Sequence, residues 1–134
     1  MQVQKVMKKT IEITFDKKII TESASVIIVP EMALQEAGYI KMFTVKDLAH
    51  SKHEYHAMAQ MAYFQYQDDE LEIGEIDSSA TVTCGNDTVK VDGGIVIWRN
   101  ENGEFHVVGH PQQNRKKLLE AAYRFCTRWV RLDI

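Results

Sequence analysis

The stretch 109–133, GHPQQNRKKLLEAAYRFCTRWVRLD, constrains the fold of this chain more than any other. Pro111 suits the first position of a helix, where a missing N–H costs no intrahelical bond, and strong helix formers follow with no further Gly or Pro. The pattern predicts a helix from Pro111 to about Leu132. At 100° per residue, Leu118, Leu119, Ala122, Tyr123, Phe125, Cys126, Trp129, Val130 and Leu132 cover one half of its surface, and Lys117, Arg124, Arg128 and Arg131 form a stripe on the other. An apolar arc this wide predicts cover on more than one side, from the protein's own sheet and from a second copy of the chain.

The stripe also concentrates positive charge. Within the helix Arg115, Lys116, Lys117, Arg124, Arg128 and Arg131 meet a single acid, Glu120, whereas the whole chain has a net charge of −3. Cations near a helix C-terminus complement its dipole, and a solvated face needs no further explanation. Arg124 and Arg128, however, lie one turn apart and point the same way. Their guanidiniums can grip one phosphate or diphosphate through forked, charge-assisted hydrogen bonds.

With 134 residues, 45% hydrophobic and 26% charged, one globular domain over 1–134 is expected. The longest apolar runs, such as 26–29 and 95–98, are far shorter than a membrane span. The opening MQVQKVMKK is not followed by an apolar signal core, so a cytoplasmic protein without membrane contact is expected. Cys84, in a strand, and Cys126, on the apolar side of the last helix, lack metal-site spacing and read as buried thiols. General DNA or RNA binding takes a broad basic surface, which an acidic chain with one basic stripe does not offer. A small anionic ligand needs only that stripe.

Residues 1–9 read as frayed. Ile11, Ile13 and Phe15 then alternate with Glu12, Thr14 and Asp16 in a half-buried strand, Asp16-Lys17-Lys18 turns, and a return including 25–29 stops at Pro30, giving an N-terminal β-hairpin. Residues 31–37 have short helical character closed by Gly38. Thr44 and Asp47 resemble a capping box for a middle helix running to about Tyr66, with Val45, Leu48, Tyr55, Ala59, Ala62, Tyr63 and Tyr66 on one face. After a polar break at 67–70 come short strands at 71–76, 80–84, 88–91, 95–99 and 104–108, joined by turns and expected to pair as an antiparallel β-meander. The order hairpin, middle helix, meander, C-terminal amphipathic helix predicts an α+β fold with the sheet's apolar face under the two helices.

His50, His53 and His56 fan across about 120° of the middle helix, so no metal site is expected there. No cofactor motif is present, since Gly93-Gly94 falls between two strands and reads as turn chemistry. No nucleophile elbow or Walker sequence orders the polar residues, so no catalytic residue is assigned and an enzyme is not expected. His106 and His110, beside the last helix, would be the acid/base groups of a small nucleotide hydrolase. A binding site is better provided for. Trp98 or Phe105 offers a flat ring for a base, Asn100 or Asn102 an amide for a polar edge, and Arg124 with Arg128 the guanidiniums for phosphate. Taken singly, Trp98 also suits a core and the two asparagines a turn.

With those residues placed, the chain resembles the phage Thoeris anti-defence proteins of the first type, small cytosolic proteins that sequester the cyclic ADP-ribose signal made by bacterial TIR enzymes. The resemblance rests on size, on the opening strand KKTIEITFDKK, on the passage from sheet to final helix, and above all on Arg124 and Arg128, where that family contacts a diphosphate. It implies a protein that holds glycocyclic ADP-ribose uncleaved in the cytoplasm of an infected bacterium, with room for a separate cyclic oligonucleotide site. It further implies homo-oligomers built from dimers, with ligand near a chain-chain junction. An aromatic ring and an asparagine ahead of the last helix complete the family's site, for which Trp98, Phe105, Asn100 and Asn102 are the candidates. The composition also fits a different class, a protein-binding inhibitor or immunity protein whose acidic surface mimics nucleic acid or covers a basic partner.

Overall fold

The computed structural model describes residues 10–15, 18–30, 41–43, 48–76, 80–91, 93–110 and 114–131. Strands β1 (Thr10–Phe15) and β2 (Lys18–Pro30) form the expected hairpin, in register from Phe15 opposite Lys18 to Thr10 opposite Ser23. β2 is 13 residues long and outruns its partner. Beyond Ser23 it pairs on one side with β3 (Lys41–Phe43), a strand that the sequence did not announce, and on the other with β7 (Gly94–Asn100). The hairpin of β5 (Ala80–Cys84) and β6 (Asp87–Val91) adds to β1, and β7 continues into β8 (Phe105–Gly109), which takes the two-residue parallel strand β4 (Gly74–Glu75). The sheet order is β4-β8-β7-β2-β1-β5-β6, with β3 also on β2. Among the described residues two helices, α1 (Leu48–Gln67) and α2 (Arg115–Arg131), complete the α+β fold.

The apolar runs explain this order. Along β2 and β7 successive side chains alternate between two cores. Val26, Ile28, Val96 and Trp98 join Ile11, Ile13 and Val82 in one, while Ile27, Val29, Ile95 and Ile97 join Tyr55, Met58, Leu118 and Leu119 in the other. The sheet therefore folds over, so that β1, β5 and β6 cover the face of β2 and β7 turned away from the helices. A strand buried on both faces reads as a continuous apolar run, whereas β1, with Ile11, Ile13 and Phe15 inward, alternates.

The same principle corrects the expected meander. β6 does not pair with β7, because β6 belongs at the outer edge while the four apolar residues at 95–98 need cover on both faces beside β2. The chain crosses between these places through Gly93 and Gly94, with φ of 67° and 122°, a region costly for residues that carry a Cβ. The strand expected at 71–76 shortens to β4, and the sheet's apolar burial is shared between helices and its own folded half rather than left to the helices alone.

Among the described residues helix α2 starts at Arg115, with Asn114 just before it outside the helix. Asn114 caps it: its Oδ1 accepts the Lys117 N–H at 3.2 Å, satisfying a donor that has no intrahelical partner, and its carbonyl accepts the first helical bond, from the Leu118 N–H at 3.1 Å. Leu118, Leu119, Ala122 and Cys126 are buried, and Phe125 and Trp129 pack half-buried against that core. α1 is fastened by Tyr55, whose hydroxyl hydrogen-bonds the buried Ser25 on β2; burial holds its pKa far above the usual tyrosine value. Cys84 and Cys126 are both buried, in different cores, and burial pushes the Cys126 thiol up to about 12. The frayed start, the segment 31–38, the Thr44/Asp47 cap, Pro111 and Leu132 lie outside the described residues. Among the described residues no helix is long and apolar enough to cross a membrane.

Candidate functional site

The C-terminal half of α2 carries a groove of about 300 Å³ lined by Tyr123, Arg124, Thr127, Arg128 and Arg131. It follows from helix geometry: residues at i, i+4 and i+7 or i+8 stack into ridges, and the space between two ridges of long side chains is a trough. Arg124, Arg128 and Arg131 are exposed. Arg124, its side chain 73% accessible, is 2.6 Å from Glu120 Oε1 one turn back. Among the described residues Arg128 and Arg131 have no carboxylate partner, and both side chains are exposed.

The floor is held from α1. The Tyr123 ring stacks on Tyr63 at 5.5 Å and on His56 at 6.0 Å, and meets the half-exposed Phe64 edge-on at 5.4 Å. Thr127 Oγ1 donates to the Tyr123 carbonyl at 2.8 Å and lies 3.2 Å from His56 Nε2. Because the hydroxyl proton is committed to that carbonyl, Nε2 is the donor to Thr127, which fixes the tautomer of the neutral ring. Burial first, and the neighbouring His53 second, lower the His56 pKa. The floor is thus aromatic and neutral beneath a rim of long cationic side chains.

All five lining side chains come from one helix, and the groove is open on its outer side. An exposed ion pair is worth roughly 0 to 1 kcal/mol, whereas a desolvated, hydrogen-bonded charge pair loses roughly 2 to 5 kcal/mol when truncated. Tight anion binding here requires a second wall.

The other predicted ligand residues lie elsewhere. Trp98 is 2% exposed, its Nε1 donates to Glu22 Oε2 at 3.0 Å, and its ring packs 5.2 Å from that of His106. It faces the core opposite the helices, so within one chain the sheet separates it from Arg124 and Arg128. Asn100 is 7% exposed, and its Oδ1 accepts the N–H groups of Asn102 and Glu104 at 3.0 and 2.9 Å, which shapes the β7–β8 turn. Asn102 is exposed on that turn. Phe105 is half-buried against the helix-side core and, with Trp98 and His106, lines a second cleft of about 470 Å³. The structure therefore brings Arg124 and Arg128 together in one place, and Trp98 and Phe105 in another.

Tyr123, Thr127 and His56 did not figure among the candidates. Tyr123 and Thr127 each precede an arginine by one residue and so flank the stripe, a signal present in the sequence; that His56 meets Thr127 depends on how the helices pack. His106 Nε2 is 3.8 Å from Glu104 Oε2. Arg115, counted with the stripe, is half-buried at the start of α2, where it reaches the carbonyls of Gly109 and His110 at 3.5 and 3.4 Å. Among the described residues no three His, Cys, Asp or Glu side chains converge as metal ligands would. Comparison with family models, with curated proteins and with solved structures finds no match for this chain.

Proposed function

We propose that this protein binds and sequesters a small phosphate-bearing cyclic nucleotide, of the glycocyclic ADP-ribose type, without cleaving it, and so suppresses a bacterial anti-phage defence. The observation that carries the proposal is the groove on α2 that Arg124, Arg128 and Arg131 line together with Tyr123 and Thr127. Arginine forks match phosphate oxygens, and the aromatic floor can take the face of a base or ribose. The resemblance to the Thoeris anti-defence proteins supplies the ligand class.

A second copy of the chain supplies the missing wall. Phe125, Trp129 and Val130 of the same helix remain half-buried, an apolar surface of the kind that a dimer covers. Light scattering at micromolar concentration should give at least a dimer; a monomer mass unchanged by ligand counts against the wall. The function itself is tested by incubating the protein with glycocyclic ADP-ribose, removing unbound ligand, denaturing the protein and analysing what is released. Intact ligand is expected. Altered ligand would make the protein a hydrolase, and no retention would favour a protein partner for the acidic surface.

A further inference from the structure

The second cleft has a strand edge as its floor. β8 pairs with β7 along its whole length, but on its other side β4 reaches only Val108 and Gly109. The Asn100 N–H bonds the Glu104 carbonyl and the His110 N–H bonds the Gly94 carbonyl, so Glu104, His106, Val108 and His110 turn their backbone groups toward β7. By alternation the N–H and C=O of Phe105 and the N–H of Val107 point the other way, where no described strand pairs with them. Residues 71–73 lead into β4 without joining the ladder. The resulting gap of about 470 Å³ is bounded by Phe15 and Ile20 of the first hairpin on one face of the sheet and by Glu70, Leu71 and Glu72 across the opening. Glu70 and Glu72 are exposed, and among the described residues neither has a cationic partner.

Proteins usually blunt an open edge with Lys, Pro or a bulge, and β8, FHVVG, has neither Lys nor Pro. The carboxylates make the cleft hostile to a phosphate, which separates it from the arginine groove. We propose that this edge receives an extended peptide segment of a partner protein in which basic and apolar residues alternate, added to the sheet beside β8. Main-chain bonds come from Phe105 and Val107. Apolar side chains of one parity enter toward Phe15 and Ile20, and the basic ones of the other parity meet Glu70 and Glu72.

The test uses the full chain, isotope-labelled for amide spectra, and the capped hexapeptide Lys-Val-Lys-Val-Lys-Val. Two further versions are N-methylated at the three valines or at the three lysines, and a fourth replaces lysine by glutamate. The plain peptide should move the Phe105 and Val107 amides. One of the two methylated forms, but not both, should bind at least about 10-fold more weakly, since a ladder uses one edge of the peptide. Glu70→Gln with Glu72→Gln should weaken binding several-fold, and the glutamate peptide should not bind. Equal binding of the plain peptide and both methylated forms, amide shifts confined to α2, or no binding at about 1 mM would each overturn the proposal.

Discussion

The outer face of α2 and the β7–β8 hairpin hold residues of similar promise, a pair of arginines in one and a tryptophan with asparagines in the other, yet the structure uses them oppositely. In the hairpin the polar groups are spent: Asn100 Oδ1 takes two backbone donors and Trp98 Nε1 is bound to Glu22. On the outer face of α2 Arg124 shares its charge with Glu120, while Arg128 and Arg131 are exposed and have no carboxylate partner among the described residues. Residue type is the same evidence in both places. What separates a binding surface from a scaffold is the hydrogen-bonding capacity left over after folding.

The sharpest break of this comparison is a stability series by urea unfolding. Trp98→Ala, which empties a buried site between the two halves of the sheet, is expected to cost about 3 to 5 kcal/mol. Asn100→Ala strands the Asn102 and Glu104 amides and is expected to cost about 1 to 3 kcal/mol, with Asn100→Asp, which keeps the acceptor, losing less. Arg124→Ala and Arg128→Ala are expected to cost about 0.5 kcal/mol or less, because both side chains are exposed and the Arg124–Glu120 pair is solvated. If the arginine variants lose as much as Asn100→Ala, the outer face of α2 is scaffold as well.

Much of the fold is legible in the sequence because it rests on period and punctuation. The alternation of Ile11, Ile13 and Phe15 locates β1, the stop at Pro30 ends β2, and the helical spacing of Leu118, Leu119, Ala122 and Cys126 picks out the buried side of α2. The start of α2 is less legible: Pro111 suits a first helical position by residue type, whereas the bond from the Lys117 N–H to the Asn114 side chain, which makes Asn114 the cap, is seen only in the structure. Partner choice between strands is not legible at all from local pattern. Gly93-Gly94 looks like a hairpin turn, yet burial of both faces of β7 sends it to β2. At the site, the arginine pair follows from spacing along one helix, while the destination of Trp98 depends on which of two cores its strand face meets, a matter of tertiary arrangement.

A smaller effect sharpens the comparison from beneath the groove. Burial lowers the His56 pKa, so the folded protein holds the ring neutral while the unfolded chain takes up a proton as pH falls past about 6.5. The unfolded state then binds more protons, and stability must fall as pH drops through that value. His56→Gln should flatten this slope between about pH 7.5 and 5, read from urea midpoints at each pH. Identical slopes in wild type and variant would mean that folding does not lower the His56 pKa.

The most direct measurement is calorimetric titration of glycocyclic ADP-ribose into the wild type, Arg124→Ala, Arg128→Ala and Lys117→Ala. Lys117 lies on the same charged stripe but not on the groove, so it reports general electrostatics; Arg131, which lines the groove, does not serve that purpose. Removing a charge-assisted contact to a covered phosphate costs roughly 2 to 5 kcal/mol, so Arg124→Ala and Arg128→Ala should each weaken binding about 30-fold or more, and Lys117→Ala by about 2-fold or less. Equal and modest losses in all three variants, or unchanged affinity without Arg124 and Arg128, would contradict the assignment of the groove as the ligand site.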